Sequence, residues 1–162
     1  GDWLLMQNET NNQSYAAATA KTLGLSVGYA AAPFDAQAVQ AVMGSLDLLI
    51  LNAVEAEQLH QATGQSPAQL PVRDIIVTLG AEGCLWYGIE GQQQFEAIAV
   101  EPVDTTGAGD TFTGYVLAGL DRGMPMAQAI SLGIKAAGLM VTRLGTADVI
   151  PDLKDLQDAQ LI

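Results

Sequence analysis

The chain has 162 residues, of which 49% are hydrophobic and 15% are charged, a composition typical of a globular α/β protein. Eighteen acidic residues against six basic ones give a net charge of -12, and the basic residues are scattered along the chain. So few scattered cations argue against a nucleic-acid partner. No apolar run is long enough to span a membrane and no leader pattern is present, so we expect a cytoplasmic protein with no membrane partner.

The acidity also limits how the chain could bind a phosphate. Because no cluster of lysines exists, backbone N–H groups, a helix terminus and a metal ion would have to supply the positive potential. A single cysteine excludes an internal disulfide, and a single histidine excludes a Cys/His zinc set. Cys84 lies in an apolar strand pattern, which favours a buried core residue over a nucleophile.

Strand and helix patterns alternate through the first half of the chain. Strands are predicted at four apolar runs, residues 3–7, 25–31, 47–51 and 74–79. Helices are predicted in the segments between them, at residues 12–23, 36–43 and 53–63. Gly24 stands where a helix C-terminal cap is expected, and Asp35 stands where an N-terminal cap is expected.

The second half begins with strands and ends with helices. A β-meander is predicted from residues 83–87 and 93–100 around a turn at 88–91. Helices are predicted at residues 108–122, 126–142 and 152–159. This order predicts an α/β fold with a doubly wound, mostly parallel sheet and helices on both faces. The absence of repeats and linkers predicts a single domain over residues 1–162.

The segment Asp104–Gly114, with the sequence DTTGAGDTFTG, follows a strand and opens a long helix. Gly107 and Gly109 on either side of Ala108 allow a tight turn with successive N–H groups pointing one way, and the helix dipole adds positive potential there. The segment has neither the lysine of a P-loop nor the glycine spacing of a dinucleotide fingerprint. We therefore predict an anion hole at the start of this helix.

Asp110 lies in the first turn of the same predicted helix. Beside a site that attracts negative charge, its carboxylate stays ionised and could accept the proton of a primary alcohol during phosphoryl transfer. The alternative is that Asp110 is an ordinary capping acid and that the glycines form an ordinary turn.

The whole segment is very similar to the C-terminal motif of the ribokinase-like, or PfkB, carbohydrate kinase family. Three further segments resemble elements of that family in the same order: Asn52–Glu55, Thr78–Gly83 and Val141–Gly145. The resemblance covers nearly the whole chain. It implies a ribokinase-like fold and an ATP- and Mg²⁺-dependent kinase that phosphorylates a hydroxymethyl group of a sugar. Ribose is the favoured substrate, and other sugars and nucleosides remain open.

The resemblance also implies roles for individual residues. It makes Asp110 the general base and a sugar contact, and it makes the anion hole from Gly107, Ala108 and Gly109. It assigns the nucleotide loop to Thr78, Gly80 and Gly83. It assigns the water shell of Mg²⁺ to Asn52 and Glu55.

Two further roles follow from the resemblance. A potassium-like cation would be held by Asp104 and by the carbonyl of Thr106, although Val149 stands where the family often has a hydroxyl residue. Glu9, just after the first predicted strand, would contact the sugar. In the alternative interpretation Asn52 and Glu55 cap a helix, Thr78–Gly83 is a plain hairpin turn, and Glu9 is a loop acid facing solvent.

Members of the family are longer than this chain, and the part that has no counterpart here is their N-terminal half and lid. We therefore expect a truncated piece that lacks kinase activity on its own and that self-associates or pairs with the N-terminal half. A second class of function stays open, a non-catalytic nucleotide-binding or assembly module. A third is an unrelated Rossmann-like binding domain.

Overall fold

The computed structural model describes residues 2–162. Within that range the strands are β1 (Trp3–Gln7), β2 (Ser26–Ala30), β3 (Leu48–Asn52), β4 (Asp74–Thr78), β5 (Cys84–Gly88) and β6 (Gly91–Phe95). The α-helices are α1 (Gln13–Thr22), α2 (Ala36–Val42), α3 (Ala53–Thr63), α4 (Ala108–Asp121), α5 (Met126–Met140) and α6 (Leu153–Asp158). None of these helices is long and apolar enough to cross a bilayer.

The chain forms two compact units. The first comprises the chain up to Gly80 together with Cys84–Gln94, and the second comprises Ala81–Gly83 together with Phe95–Ile162. The first unit holds the helices α1 to α3 and the sheet except for Phe95, the last residue of β6, and the second holds α4 to α6.

The six strands lie in one sheet whose spatial order follows the chain order. Strands β1 to β4 are parallel, and β5 runs antiparallel to β4. Right-handed crossovers between strands added in one direction place their helices on the same face of the sheet. One apolar cluster accordingly contains buried residues of α1, α2, α3 and the four parallel strands. The predicted α/β class with a mostly parallel sheet is confirmed.

The central strand β3 is apolar along nearly its whole length and is buried on both faces. Leu49 and Leu51 belong to the cluster with the three helices, and the alternate residues Leu48 and Ile50 are buried as well. Such continuous apolar runs are typical of interior strands in parallel sheets. Because β1 to β4 are parallel, their carboxyl ends meet at one edge of the sheet.

Two predicted helix caps are confirmed. Gly24 adopts a left-handed conformation with φ of 77° just after α1, where a side chain would be strained. The Asp35 carboxylate accepts hydrogen bonds from the N–H groups of Gln37 and Ala38 at the start of α2, at 2.7 and 3.1 Å.

The second strand of the meander was predicted at residues 93–100; the strand is present, but its predicted bounds are wrong. The strand β6 covers Gly91–Phe95, and residues 96–100 form no strand. The turn that joins β5 to β6 has only two residues, Ile89–Glu90, so the partner strand begins earlier than the apolar pattern indicates.

In the second unit, α4 and α5 approach each other closely because small residues lie where they meet. A Cβ atom at Gly119 would lie 3.0 Å from the Cβ of Ala129, and one at Gly133 would lie 2.9 Å from Cγ2 of Val116. Leu156 of α6 is fully buried against this pair of helices.

A charged residue near the amino ends of the strands supports the first unit. Asp47 accepts hydrogen bonds from Nζ of Lys21 at 2.9 Å and from the N–H of Val27 at 2.8 Å. Burial alone would raise the pKa of Asp47. The hydrogen bonds from Lys21 and Val27, with the charges of Lys21 and Arg73, outweigh that effect and hold the pKa below its ordinary value.

We expect Asp47→Asn to destabilise the fold by about 1–3 kcal/mol at pH 7, since hydrogen bonds to a charged group are lost. Because the folded-state pKa is lowered, this stabilisation is present above the ordinary Asp pKa of about 3.9 and is lost as the pH falls through the folded value. Urea unfolding of wild type and variant at pH 7 and pH 3 measures it. Asp158→Asn, at an exposed position of α6, is the control. An equal loss at both pH values would contradict the assignment.

Candidate active site

In the first unit, several predicted site residues lie at the carboxyl edge of the parallel strands. Asn52 ends β3, Thr78 ends β4, and the two are register partners in the ladder. Glu9 lies on the turn after β1, two strands away. Open α/β sheets bind ligands outside this edge.

Asn52 and Glu55 form a capping box at the start of α3. Oδ1 of Asn52 accepts from the N–H of Glu55 at 2.9 Å, and Oε2 of Glu55 accepts from the N–H of Asn52 at 2.8 Å. Burial raises the pKa of Glu55, and the N–H of Asn52 offsets part of that rise. The helix-cap interpretation is therefore what the structure shows. A carboxylate has about four lone-pair sites, so the cap leaves Glu55 with capacity to accept from water.

The Glu9 side chain is exposed on the turn that follows β1. The neighbouring Asn8 ties this turn to the chain after β2, because its Nδ2 donates to the carbonyl of Pro33 at 2.9 Å. The side-chain amide of Gln13 also contacts the turn, and the sequence analysis missed it. No sequence signal predicted these contacts, because Gln13 follows the cap residue Asn12 and its amide donates to backbone carbonyls of the turn.

The Thr78–Gly83 segment connects β4 to β5 through a single 3₁₀ turn at Gly80–Glu82, so it is a turn between antiparallel strands, as in the alternative interpretation. Both of its glycines are left-handed, with φ of 61° at Gly80 and 91° at Gly83. They differ in their surroundings. Space is open around Gly80, whereas a Cβ atom at Gly83 would overlap the carbonyl oxygen of Phe95.

This difference predicts unequal costs for two similar substitutions. Gly80→Ala meets only the left-handed backbone penalty, about 1–2 kcal/mol. Gly83→Ala meets the same penalty and also forces the backbone at Phe95 to move, so we expect a larger loss or no folded protein. Thermal and urea unfolding of the two variants side by side test this. Equal stabilities would show that the Phe95 backbone does not constrain Gly83.

The predicted start of the second-unit helix is confirmed, because α4 begins at Ala108. Gly107 precedes it with φ of 83°, and a Cβ atom there would lie 2.9 Å from Cε of Met140. Gly109 is exposed, has no left-handed backbone, and has nothing within 4 Å of its Cβ position. The fold therefore requires glycine at position 107 but not at position 109.

Asp110 is exposed in the first turn of this 14-residue helix. The three residues after it, Thr111, Phe112 and Thr113, are buried and anchor the turn. The Thr111 hydroxyl also donates to the sulfur of Met140 at 2.7 Å. The first N–H groups of a helix have no acceptor within the helix, and the dipole makes this end positive. Asp110 thus lies in the first turn of α4, at the positive end of the helix dipole.

The structure also brings two separate family-like segments together. The N–H of Asp104 donates to the carbonyl of Val141 at 3.1 Å. The Asp104 carboxylate accepts from the N–H of Thr106 at 2.9 Å. The N–H and hydroxyl of Thr106, and then the N–H of Gly145, lower the pKa of Asp104. Asp104 and Thr106 therefore lie in contact, and in this arrangement the carboxylate accepts from backbone donors. Their role as ligands of a cation stays a prediction.

No three His, Cys, Asp or Glu side chains between residues 2 and 162 converge as a metal-binding group. The first unit also has a shallow groove between α3 and β5, whose lining includes Ala56, His60 and Tyr87. None of the predicted site residues lines this groove.

Known proteins similar to this chain match it over most of its length. The family described as "pfkB family carbohydrate kinase" matches residues 5–153. The ribokinase of Haemophilus influenzae is 34% identical over 163 residues, covering 93% of this chain and 53% of that protein. The aminoimidazole riboside kinase of Salmonella typhimurium is 37% identical over 111 residues, covering 60% of this chain and 35% of that protein.

A solved structure agrees with these sequence matches. The ribokinase of Arabidopsis thaliana, complexed with ribose and ATP, matches with a TM-score of 0.83 and 26% identity, covering 96% of this chain and 55% of that one. The chain therefore belongs to the pfkB family of carbohydrate kinases, and the predicted resemblance is confirmed. It spans about half of the length of these relatives or less.

Proposed function

We propose that this chain is the nucleotide-binding and catalytic part of an ATP-dependent kinase that phosphorylates a hydroxymethyl group of a sugar. The observation that carries the proposal is the start of α4, where an exposed Asp110 follows Gly109, a glycine that the fold does not require. Family membership supports the same reaction class.

Gly109 supports a phosphate at this helix end because it lies in the first turn of α4, where a helix has N–H groups without intrahelical acceptors, whereas Gly114 lies beyond that turn. Glycine in the middle of a helix costs about 0.5–1 kcal/mol relative to alanine, and wherever it is ordered it loses more backbone freedom on folding than any other residue. No backbone strain or close neighbour compensates for that cost at position 109. A ligand that comes close to the backbone would compensate for the cost, because a Cβ atom at this position would obstruct the ligand. With few basic residues in the chain, helix N–H groups are the natural partners of the transferred phosphate.

Asp110 acts as the general base in this proposal. Its carboxylate accepts the proton of the sugar hydroxyl as the oxygen attacks the γ-phosphate, while the helix end stabilises charge on the phosphoryl group. The buried residues Thr111 and Phe112 fix the turn that carries it. A fixed base is effective because orientation of the reacting groups lowers the barrier.

The nucleotide and metal assignments extend the same proposal. We assign ATP contacts to Thr78, Gly80 and Gly83. Mg²⁺ usually keeps several waters and binds mainly through phosphates, which suits a site where Asn52 and Glu55 accept from metal-bound water. We further assign a potassium-like ion to Asp104 and the carbonyl of Thr106.

Glu9 is the proposed sugar contact on this chain, and ribose is the proposed sugar. The ribokinase relatives support ribose. A nucleoside is the second candidate, and the similarity to an aminoimidazole riboside kinase favours it.

We also infer that β1 meets a further strand. It is the outermost strand on its side of the sheet, and edge strands readily pair with other chains or segments. Leu5 on this strand is 40% exposed. In this proposal a second copy, or the remainder of a longer kinase, covers the edge, and sugar turnover depends on that remainder.

Gly109→Ala should leave the stability of the chain unchanged or slightly higher and should weaken the binding of Mg·ATP by tenfold or more. The reason is that the new Cβ atom enters space that only a ligand would occupy. Calorimetric titration of the 162-residue chain measures the affinity. Gly114→Ala is the matched control, because it lies on the same helix, is exposed and has equally open surroundings. If the two variants bind Mg·ATP with equal affinity, the phosphate does not bind at this helix end.

Asp110→Asn should lower kcat of the kinase that contains this sequence by a factor of roughly 10² or more. The ATP affinity should stay within a few-fold of wild type, because the substitution keeps the shape and removes only basicity. Steady-state kinetics with ribose and with a nucleoside decide it. A near-normal kcat would exclude Asp110 as the base.

A further inference from the structure

The side chain of Gln13 holds the turn on which Glu9 lies. Gln13 is the first residue of α1 and is only 9% exposed. Its Nε2 lies 3.1 Å from the carbonyl of Gln7, 2.9 Å from the carbonyl of Thr10 and 3.2 Å from Oδ1 of Asn8. An amide has two N–H donors, so three oxygens of one turn share the same donor group. This buried amide therefore holds the turn together through its hydrogen bonds.

A second amide extends the connection to the next strand. Asn8 accepts from Gln13 and donates from its Nδ2 to the carbonyl of Pro33 at 2.9 Å. Its backbone N–H donates to the carbonyl of Ala32 at 3.0 Å. The two side-chain amides thus connect α1, the turn after β1 and the chain after β2. Glu9 is adjacent to Asn8 in this chain of hydrogen bonds.

The orientation of the Gln13 amide is determined by its surroundings. Reversing it would place Oε1 against three oxygen atoms, which is repulsive. In the observed orientation Oε1 is buried without a partner, as is the hydroxyl of Tyr29. Burial raises the pKa of Tyr29, and the charge of Asp35 raises it further. The amide therefore has its donors committed to the turn and its oxygen enclosed.

We propose that Gln13 is a positioning residue for sugar binding, which acts by fixing the turn that presents the Glu9 carboxylate. This inference rests on the proposed role of Glu9 as a sugar contact. Gln13 itself needs no contact with the sugar. A loosened turn must be ordered when the sugar binds, and fixing each residue carries an entropic cost, so the effect appears in sugar affinity.

Gln13→Met tests the proposal, because methionine has a similar length and no amide donors. In the kinase that contains this sequence, we expect the KM for the sugar to rise about tenfold. The turn loses the hydrogen bonds from the Gln13 amide and must then be ordered when the sugar binds. The KM for ATP should stay within twofold. Gln61→Met is the matched control, since the amide of Gln61 donates to Glu57 at 2.8 Å on the exposed surface of α3. An unchanged sugar KM, or an equal rise in both KM values, would overturn the proposal.

A double variant separates this inference from the proposed function. If Gln13 acts through Glu9, Gln13→Met should add little to the sugar KM of Glu9→Gln, whereas additive effects would contradict the coupling. An unchanged sugar KM in Glu9→Gln alone would end the inference, while Asp110→Asn still tests the kinase assignment. If Gln13→Met does not fold, Asn8→Leu is the second test. It removes the hydrogen bond to Pro33 and should raise the KM for the sugar without changing the KM for ATP. No rise in that variant would again overturn the proposal.

Discussion

The left-handed turn at Gly107 is the constraint on which the proposed chemistry depends. Its φ of 83° lets the chain enter α4 abruptly, and the lack of a side chain leaves room for Met140 of α5. Thr111 and Phe112 are buried just beyond, so the helix cannot rotate to hide its first turn. A helix end fixed in this way provides N–H groups and positive potential for a phosphate. Basic side chains contribute little of that potential here, because the chain has only six of them and a net charge of -12.

The sheet contributes a second constraint in the first unit. Parallel strands bring Asn52, Thr78 and the turn after β1 to one edge. Strand pairing joins Asn52 to Thr78, and a hydrogen bond from Asn8 to Pro33 holds the turn. The capping box shows how one pair of side chains can serve two purposes. It begins α3 and also holds the Glu55 carboxylate in a fixed place, where it could still accept from water. A structural role therefore does not argue against a functional one at these residues.

Much of this could be predicted from the sequence because the signals are local. Apolar runs, Asp35 as a cap and the glycines around Ala108 each act within a few residues of the element they specify. The β6 boundary was missed because it depends on a two-residue turn and not on apolar periodicity. Gln13 was missed because its three acceptors come together only when the turn after β1 has formed.

The most direct test of the phosphate-binding claim is a chemical-shift map of the ¹⁵N-labelled chain titrated with Mg·ADP. If the helix end binds phosphate, the largest amide shifts should fall at Gly107, Gly109 and Asp110, with further shifts in Thr78–Gly83. Shifts concentrated in the groove that His60 and Tyr87 line, with the start of α4 unchanged, would contradict the claim that this helix end is the phosphate site.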